Sequence, residues 1–254
     1  MMLPDLTIPH TFLITFVIMY AIIAGRYLLV SGFFYLFFYK WFRVKWDTNK
    51  IGKRAYETKQ FRREIKWSII SALCFAFTGT IILLLWQQGF TRIYKDVYEF
   101  PLWWMPVSLF ISLLVDETYY YWVHRWMHKP AVFRKLHKIH HQSTISSPWT
   151  SFAFHPVEGM ILSLPLVLTI LFVPMHISVI LVQLTIMTVT SVINHLDIEI
   201  YSNGFRRSYL GRWLIGASHH ALHHKQYKYN FGLYFTFWDK WKKTESPAYS
   251  QNKM

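Results

Sequence analysis

Five apolar runs alternate with polar, mostly basic segments along the chain. Residues 9–39 are apolar apart from His10, Arg26 and a few small polar groups, and 67–85 form a second run. A third opens at the aromatic Pro101-Leu102-Trp103-Trp104 and reaches about Trp122. Two shorter runs, 157–173 and 177–193, are parted only by Pro174-Met175-His176. About twenty apolar residues in a helix, rising 1.5 Å each, cross the hydrocarbon core of a bilayer. The pattern therefore predicts three spans within 1–122 and a helical hairpin over 157–193. The hairpin is either a thin crossing or a re-entrant pair, and both return the chain to the side it left. His176, at its tip, reads as a polar turn residue.

The polar segments set the orientation. Residues 40–66 carry ten Lys and Arg against three acids, and basic loops beside spans stay on the cytoplasmic side. That puts the N-terminus and the loop 90–100 outside, and the segments 123–156 and 194–254 inside. The first run has Asp5 ahead of it and no basic leader, so it is expected to remain as a span. The balance of 27 Lys+Arg to 13 Asp+Glu, a formal +14, has the same origin. These cations flank apolar runs, so orientation explains them and nucleic acid is not an expected partner. The single cysteine, Cys74, excludes a disulfide framework, a cysteine-held iron–sulfur cluster and a CxxCH haem attachment. The expected class is all-α: one polytopic membrane domain over 1–254, with a cytoplasmic histidine-rich helical cap.

Candidate chemistry lies in that cap. Nine of the thirteen histidines fall in two windows, 124–141 and 219–224. Helical residues three and four apart share a face. His124 and His128 are thus expected to converge on one point, as are His137, His140 and His141, and again His220, His223 and His224. Neutral imidazole is a common ligand for Fe, Zn, Cu and Ni. So many nitrogens exceed one ion's coordination number, and a two-metal site follows. Asp116, Tyr120, His124 and His128 lie four apart on one stripe. Asp116 and Glu117 are carboxylates near the inner end of a span, where polar groups usually mark function. Pro130 should end this helix, because it pushes Lys129 away from helical angles. Tyr119, Tyr121 and Leu164 are candidates for lining an apolar substrate slot.

With HxxxH, HxxHH and a late HHxxHH in this order, the chain resembles the fatty acid hydroxylase/sterol desaturase superfamily, most of all its lathosterol-oxidase-like branch. The resemblance covers roughly 110–243. It includes Ser147-Pro148-Trp149, the stretch Phe152 to Glu158, Ser218 to His224, and Asn230 to Asp239. It implies an integral membrane di-iron oxygenase that uses dioxygen and two electrons to hydroxylate or desaturate a lipid. By motif position His124, His128, His137, His140, His141, His195, His220, His223 and His224 would be metal ligands. His219 and His155 match recurring histidines, as ligands or as groups that orient ligands. Glu199 stands where some relatives carry a further histidine, and since a carboxylate can ligate iron the resemblance leaves it as a ligand, a ligand through water, or neither. Many relatives follow the Trp-Asp pair with Arg and then Gly-Thr. Here the chain reads Lys240-Trp241-Lys242-Lys243-Thr244, which puts the local turn in question.

Oxidising an unactivated C–H bond needs a redox metal and oxygen, since no side chain can do it. Iron is the expected pair of ions, with zinc as a substitute in recombinant protein. The sequence holds no nucleotide fingerprint, haem attachment motif or cysteine cluster to deliver electrons. An acidic carrier, a ferredoxin or b-type cytochrome with its reductase, is therefore expected. It would meet the basic surface of 40–66 with Arg206, Arg207 and Arg212. The alternative class is a histidine-rich metal transporter or sensor, which should place ligands at mid-span. A membrane zinc hydrolase is a third reading, but HExxH is absent and the histidines exceed catalytic zinc's usual three protein ligands.

Overall fold

The computed structural model describes residues 4–53 and 56–251. Helix α1 (Pro9–Leu36) opens with proline at its first turn, where the missing N–H costs nothing, and ends in a π turn, Phe37–Trp41. It packs along α2 (Thr58–Gln87). Ser68, Ala72 and Ala76 of α2 are buried, and Gly79 lies so close to Met19 that a Cβ there would sit 3.3 Å from it. Small residues let the two backbones approach, so Ile23, Ala24 and Tyr27 fill the seam. Helix α3 (Trp104–Met127) turns Ser108, Ser112, Asp116, Tyr120 and His124 inward, each four residues from the next.

The hairpin consists of α5 (Pro156–Phe172) and α6 (Ile177–Asn194). Its tip, β2 (Met175–His176), pairs in parallel with β1 (Ile93–Tyr94). His176 caps α6 and places Nε2 2.9 Å from the Lys95 carbonyl, a turn role as expected. Between α3 and α5 the chain makes a π turn (Phe133–His137) that runs into α4 (Lys138–His141). The late cap contains α7 (Ala217–Gln226) and α8 (Phe237–Trp241).

Three helices are long and apolar enough to cross a membrane: Pro9–Trp41, Thr58–Gln87 and Ile177–Asn194. Helix α3, expected as the third span, is not among them. Asp116, Glu117 and three consecutive tyrosines occupy its second half, and that half serves the cap. Helix α5 is shorter, at 17 residues.

Loop carbonyls buried against the helices need donors. Tyr27 and Ser68 hydroxyls both donate to the Trp149 carbonyl, and Ser71 donates to that of Phe154. Glu64, buried on α2, accepts from Ser143 and Ser147 hydroxyls at 2.6 Å each. These bonds dock the segment between the first histidine region and α5 on the membrane helices.

The Lys242-Lys243-Thr244 departure keeps a tight turn. Lys243 takes a left-handed backbone (φ 55), and the Thr244 hydroxyl donates to Asp239 Oδ1 at 2.7 Å. A Cβ in that region costs roughly 1–2 kcal/mol, against ~0.5–1 kcal/mol of added unfolded-state entropy for glycine. Lys243→Gly is thus expected to stabilise the protein by up to ~1 kcal/mol. A thermal midpoint that falls in this variant would refute the account of the turn.

Candidate metal centre

The histidines meet in two groups. His124, His128, His137, His141 and His223 form one, and His140, His195, His220 and His224 the other. Within each group one nitrogen per residue lies within 4.8 Å of all the others. The grouping differs from the expectation that each motif converges on one point. His140 and His141 are neighbours on α4, about 100° apart around the helix, so they face different centres. The same rotation separates His223 from His224. The pairs four apart, 137/141 and 220/224, stay together, and the third member of each motif crosses to the other group.

Hydrogen bonds on the far side of the rings decide what the near side offers. The Nδ1 atoms of His124, His195 and His223 lie 2.7–2.8 Å from the carbonyls of Phe231, Ser191 and Tyr229. A carbonyl only accepts, so each Nδ1 carries the proton and each Nε2 presents a lone pair. His137 Nδ1 is likewise 2.6 Å from the Glu158 carboxylate. Facing nitrogens then sit at 3.1 Å for 124/137, 137/141 and 141/223, and at 3.2, 2.9 and 3.1 Å for 140/195, 195/220 and 220/224. Adjacent corners of an octahedron with ~2.1 Å metal–nitrogen bonds are ~3.0 Å apart. Converging lone pairs at that spacing fit a cation in each group. His128 Nε2, buried without a hydrogen-bond partner, fits the same reading.

Several carboxylates hold the scaffold rather than the centres. Glu117 accepts the backbone N–H groups of Leu233, Tyr234 and Phe235. Gly232 is required beside it, since a Cβ would stand 2.9 Å from Glu117 Oε1 and 2.6 Å from the Phe235 carbonyl. Asp239 accepts from Phe231 and Gly232. Two carboxylates thus fix the strand-like segment whose Phe231 carbonyl aims His124.

The remaining candidates fall outside both groups. His219 is buried one turn before His223 on α7 but belongs to neither group, with Nε2 3.9 Å from Asp239 and its ring edge-on to Tyr249. His155 caps α5, its Nδ1 accepting from Val157 N–H. Glu199 accepts from Tyr201 and Ser218 N–H groups, the latter in the first turn of α7. Asp116 accepts the Tyr234 hydroxyl proton at 2.6 Å. Glu158 was not singled out from sequence; a lone acid opening an apolar run, one residue after His-Pro-Val, was the available signal.

An apolar cavity of about 280 Å³ runs between α1, α2, α3, α5 and α6. It extends from Trp86, Ile93 and Ile177 at one end to His195 and His220 at the other. Asp116 and Tyr120 line it, rather than Tyr119 and Tyr121, because the stripe spaced by four faces inward. The Tyr119 hydroxyl bonds the Ile161 carbonyl, Tyr121 stacks on Trp238, and Leu164 points outward while Leu162 and Leu166 line the slot.

Residues 109–244, which hold both histidine groups, match the fatty acid hydroxylase family. The chain belongs to that family. It is 34% identical over 184 residues to human lathosterol oxidase, covering 71% of this chain and 60% of that protein. To the Delta(7)-sterol 5(6)-desaturase of Eremothecium gossypii it is 30% identical over 222 residues, covering 84% and 57%. The Candida albicans Delta(7)-sterol 5(6)-desaturase is 29% identical over 220 residues, with 84% and 52% covered. The chain thus spans between about half and three-fifths of these relatives' length. No solved structure matches it.

Burial, then the neighbouring imidazoles, holds His137, His140, His141, His220, His223 and His224 well below the usual histidine range. A pKa lowered by folding leaves stability intact above the unfolded value near 6.5 and removes it as pH falls. Each such group costs up to ~1.4 kcal/mol per pH unit below that value. Bound metal and thermal midpoint should therefore be flat above about pH 7 and fall together below ~6.5. A midpoint unchanged down to pH 5 would contradict neutral, metal-facing imidazoles. Separately, Glu158→Leu should weaken metal binding ~10–100-fold by releasing His137. Unaltered metal affinity in a folded variant would show that Glu158 does not orient the ligand.

Proposed function

We propose that the chain is an integral membrane di-iron lipid oxidase, hydroxylating or desaturating a sterol-like substrate. The observation that carries this reading is the apolar slot ending on His195 and His220. A buried lipid carbon in that slot would lie against one of the two metal groups. The relatives named for sterol oxidation point to the same substrate class. Bound in the two groups, iron would supply dioxygen activation and removal of hydrogen from an unactivated C–H bond.

The chain's own part is binding, orientation and exclusion of water. His124, His128, His137, His141 and His223 would hold one ion, and His140, His195, His220 and His224 the other. The carbonyls of Phe231, Ser191 and Tyr229 and the Glu158 carboxylate fix four of these rings before any ion arrives. The slot walls keep water from the reacting carbon. Asp116, on the slot wall, accepts the Tyr234 hydroxyl proton. His219, His155 and Glu199 act as supports of the cap.

Orientation follows from the basic 40–66 segment, which puts the centre on the cytoplasmic face. Two electrons per turnover come from outside, delivered by an acidic ferredoxin or b-type cytochrome and its reductase. The basic surface with Arg206, Arg207 and Arg212 would speed that encounter. A metal-transport role fits poorly, because among the described residues both histidine groups lie in the cap, at one end of a mainly apolar slot, rather than at mid-span.

The test is turnover of a Delta(7)-sterol by purified, iron-loaded protein in nanodiscs with reductase, carrier and dioxygen. Mass spectrometry should show a product gaining one oxygen or losing two hydrogens. His140→Ala and His141→Ala, one from each metal group, should each abolish it. Product formed without reductant, or by either variant at full rate, would sink the oxidase mechanism.

A further inference from the structure

We propose that Arg26 binds the hydroxyl oxygen of the lipid substrate at the metal end of the slot, and so sets which carbon is oxidised. The inference rests on the sterol reading above and adds the group that fixes the substrate's register.

Arg26 is the sole formally charged side chain of α1. A guanidinium keeps its charge in any protein setting, and a charge at membrane depth is costly without a partner. Such residues face a bundle interior or cavity and mark substrate pathways. Met19, Ile22, Ile23 and Arg26 recur three and four apart, and this face lines the slot. Among the described residues no carboxylate pairs with Arg26, and its Nε is buried without a hydrogen-bond partner. The slot therefore contains one cation whose Nε has no partner, beside the polar wall groups Asp116, Gln183 and Asn194.

Its level along the slot follows from its neighbours. Tyr27 stacks on Phe152 at 5.4 Å between ring centroids. Next to Phe152, the Ser151 carbonyl accepts the Ser191 hydroxyl at 3.0 Å, and the Ser191 carbonyl takes the His195 Nδ1 proton. Arg26 thus stands within one or two helical turns, ~5–10 Å, of the His195–His220 wall. The opposite end, at Trp86, Ile93 and Ile177, is apolar.

Guanidinium donors need an oxygen acceptor, and a lipid in an apolar slot offers one only at its polar end. A sterol is a ring alcohol: one hydroxyl oxygen on an apolar body. Held hydroxyl-first by Arg26, it would lie with its oxygen-bearing ring toward the His195–His220 end and its tail toward Trp86. A free fatty acid carries the competing acceptor, a carboxylate, which would anchor a different lipid class at the same point.

Equilibrium binding to the metal-loaded full chain in nanodiscs separates these outcomes without requiring turnover. The probes are a Delta(7)-sterol, the same ring system lacking the hydroxyl, and a long-chain fatty acid. The wild type should bind the alcohol about 10–100-fold more tightly than its deoxy counterpart, the range for a hydrogen bond to a charged group. Arg26→Met should bind both at the deoxy level, and Arg26→Lys should recover part of the preference. With metal content unchanged, oxidation of the deoxy compound should spread over several carbons. Where the Met variant fails to fold, Arg26→Gln, neutral and polar, carries the comparison and should show the same loss. Equal wild-type affinity for alcohol and deoxy compound would overturn the proposal while leaving the sterol reading in place. So would a preference retained in Arg26→Met, or fatty acid binding that exceeds sterol binding and depends on Arg26. If the wild type bound neither ring compound, the sterol reading itself would fail, and this proposal with it.

Discussion

Nine imidazole nitrogens drawn into two buried clusters are the constraint around which the cap is built. At ~3 Å two lone pairs repel unless a proton or a cation lies between them. In four rings the proton is committed elsewhere, to the Phe231, Ser191 and Tyr229 carbonyls and to Glu158. At the 124/137 contact both rings have committed their protons, which favours a cation between them, and burial disfavours supplying that charge by protonating the rings. On the reading proposed above, metal binding and folding of the cap would become one event, because the candidate ligands come from α3, the turn into α4, the end of α6 and α7.

Buried carboxylates then fix the segments of this cap, and one of them, Glu64, ties it to a membrane helix. Glu64 on α2 holds the segment after α4, Glu117 on α3 holds 233–235, and Asp239 holds 231–232. Each is satisfied by N–H or O–H groups, which anchor a backbone segment at several points at once. The consequence is registration. The slot lies among the helices and the histidines lie in the cap, so a lipid carbon in the proposed reaction would meet the centre reproducibly only if cap and helices do not slide.

Much of this was legible in the sequence, for reasons that also mark where legibility stopped. Apolar runs and basic flanks report the spans, and spacing reports which histidines share a helix face. The HxxHH motif could not show that His140 parts from His137 and His141. That division depends on the direction from which α7 approaches, a tertiary fact. Tyr120 rather than its neighbours lines the slot for a similar reason: the rotation of α3 is set by Ser112 bonding Gln183 and by Glu117 in its nest. Helix α3 reads as a span from its apolar first half, and its second half carries the carboxylates and tyrosines that face the cap. Lys243 kept the turn its sequence put in doubt, since the bonds Asp239 makes to Phe231, Gly232 and Thr244 outweigh one left-handed residue.

The two metal groups are unequal in a way that bears on their division of labour. One gathers five histidines and is walled by Phe133, Tyr227 and Phe231. The other gathers four, and two of these, His195 and His220, form the end of the slot. An ion of six-fold preference would keep more open positions in the four-histidine group, on the side where the lipid arrives. The five-histidine group is more nearly closed and lies nearer the cap surface, toward Phe133 and the basic segment around Arg134 and Lys135. Substrate and electrons would then reach the pair from opposite sides. Such separation lets the slot remain dry and apolar while the exposed face remains charged, two requirements that a single shared entrance could not meet.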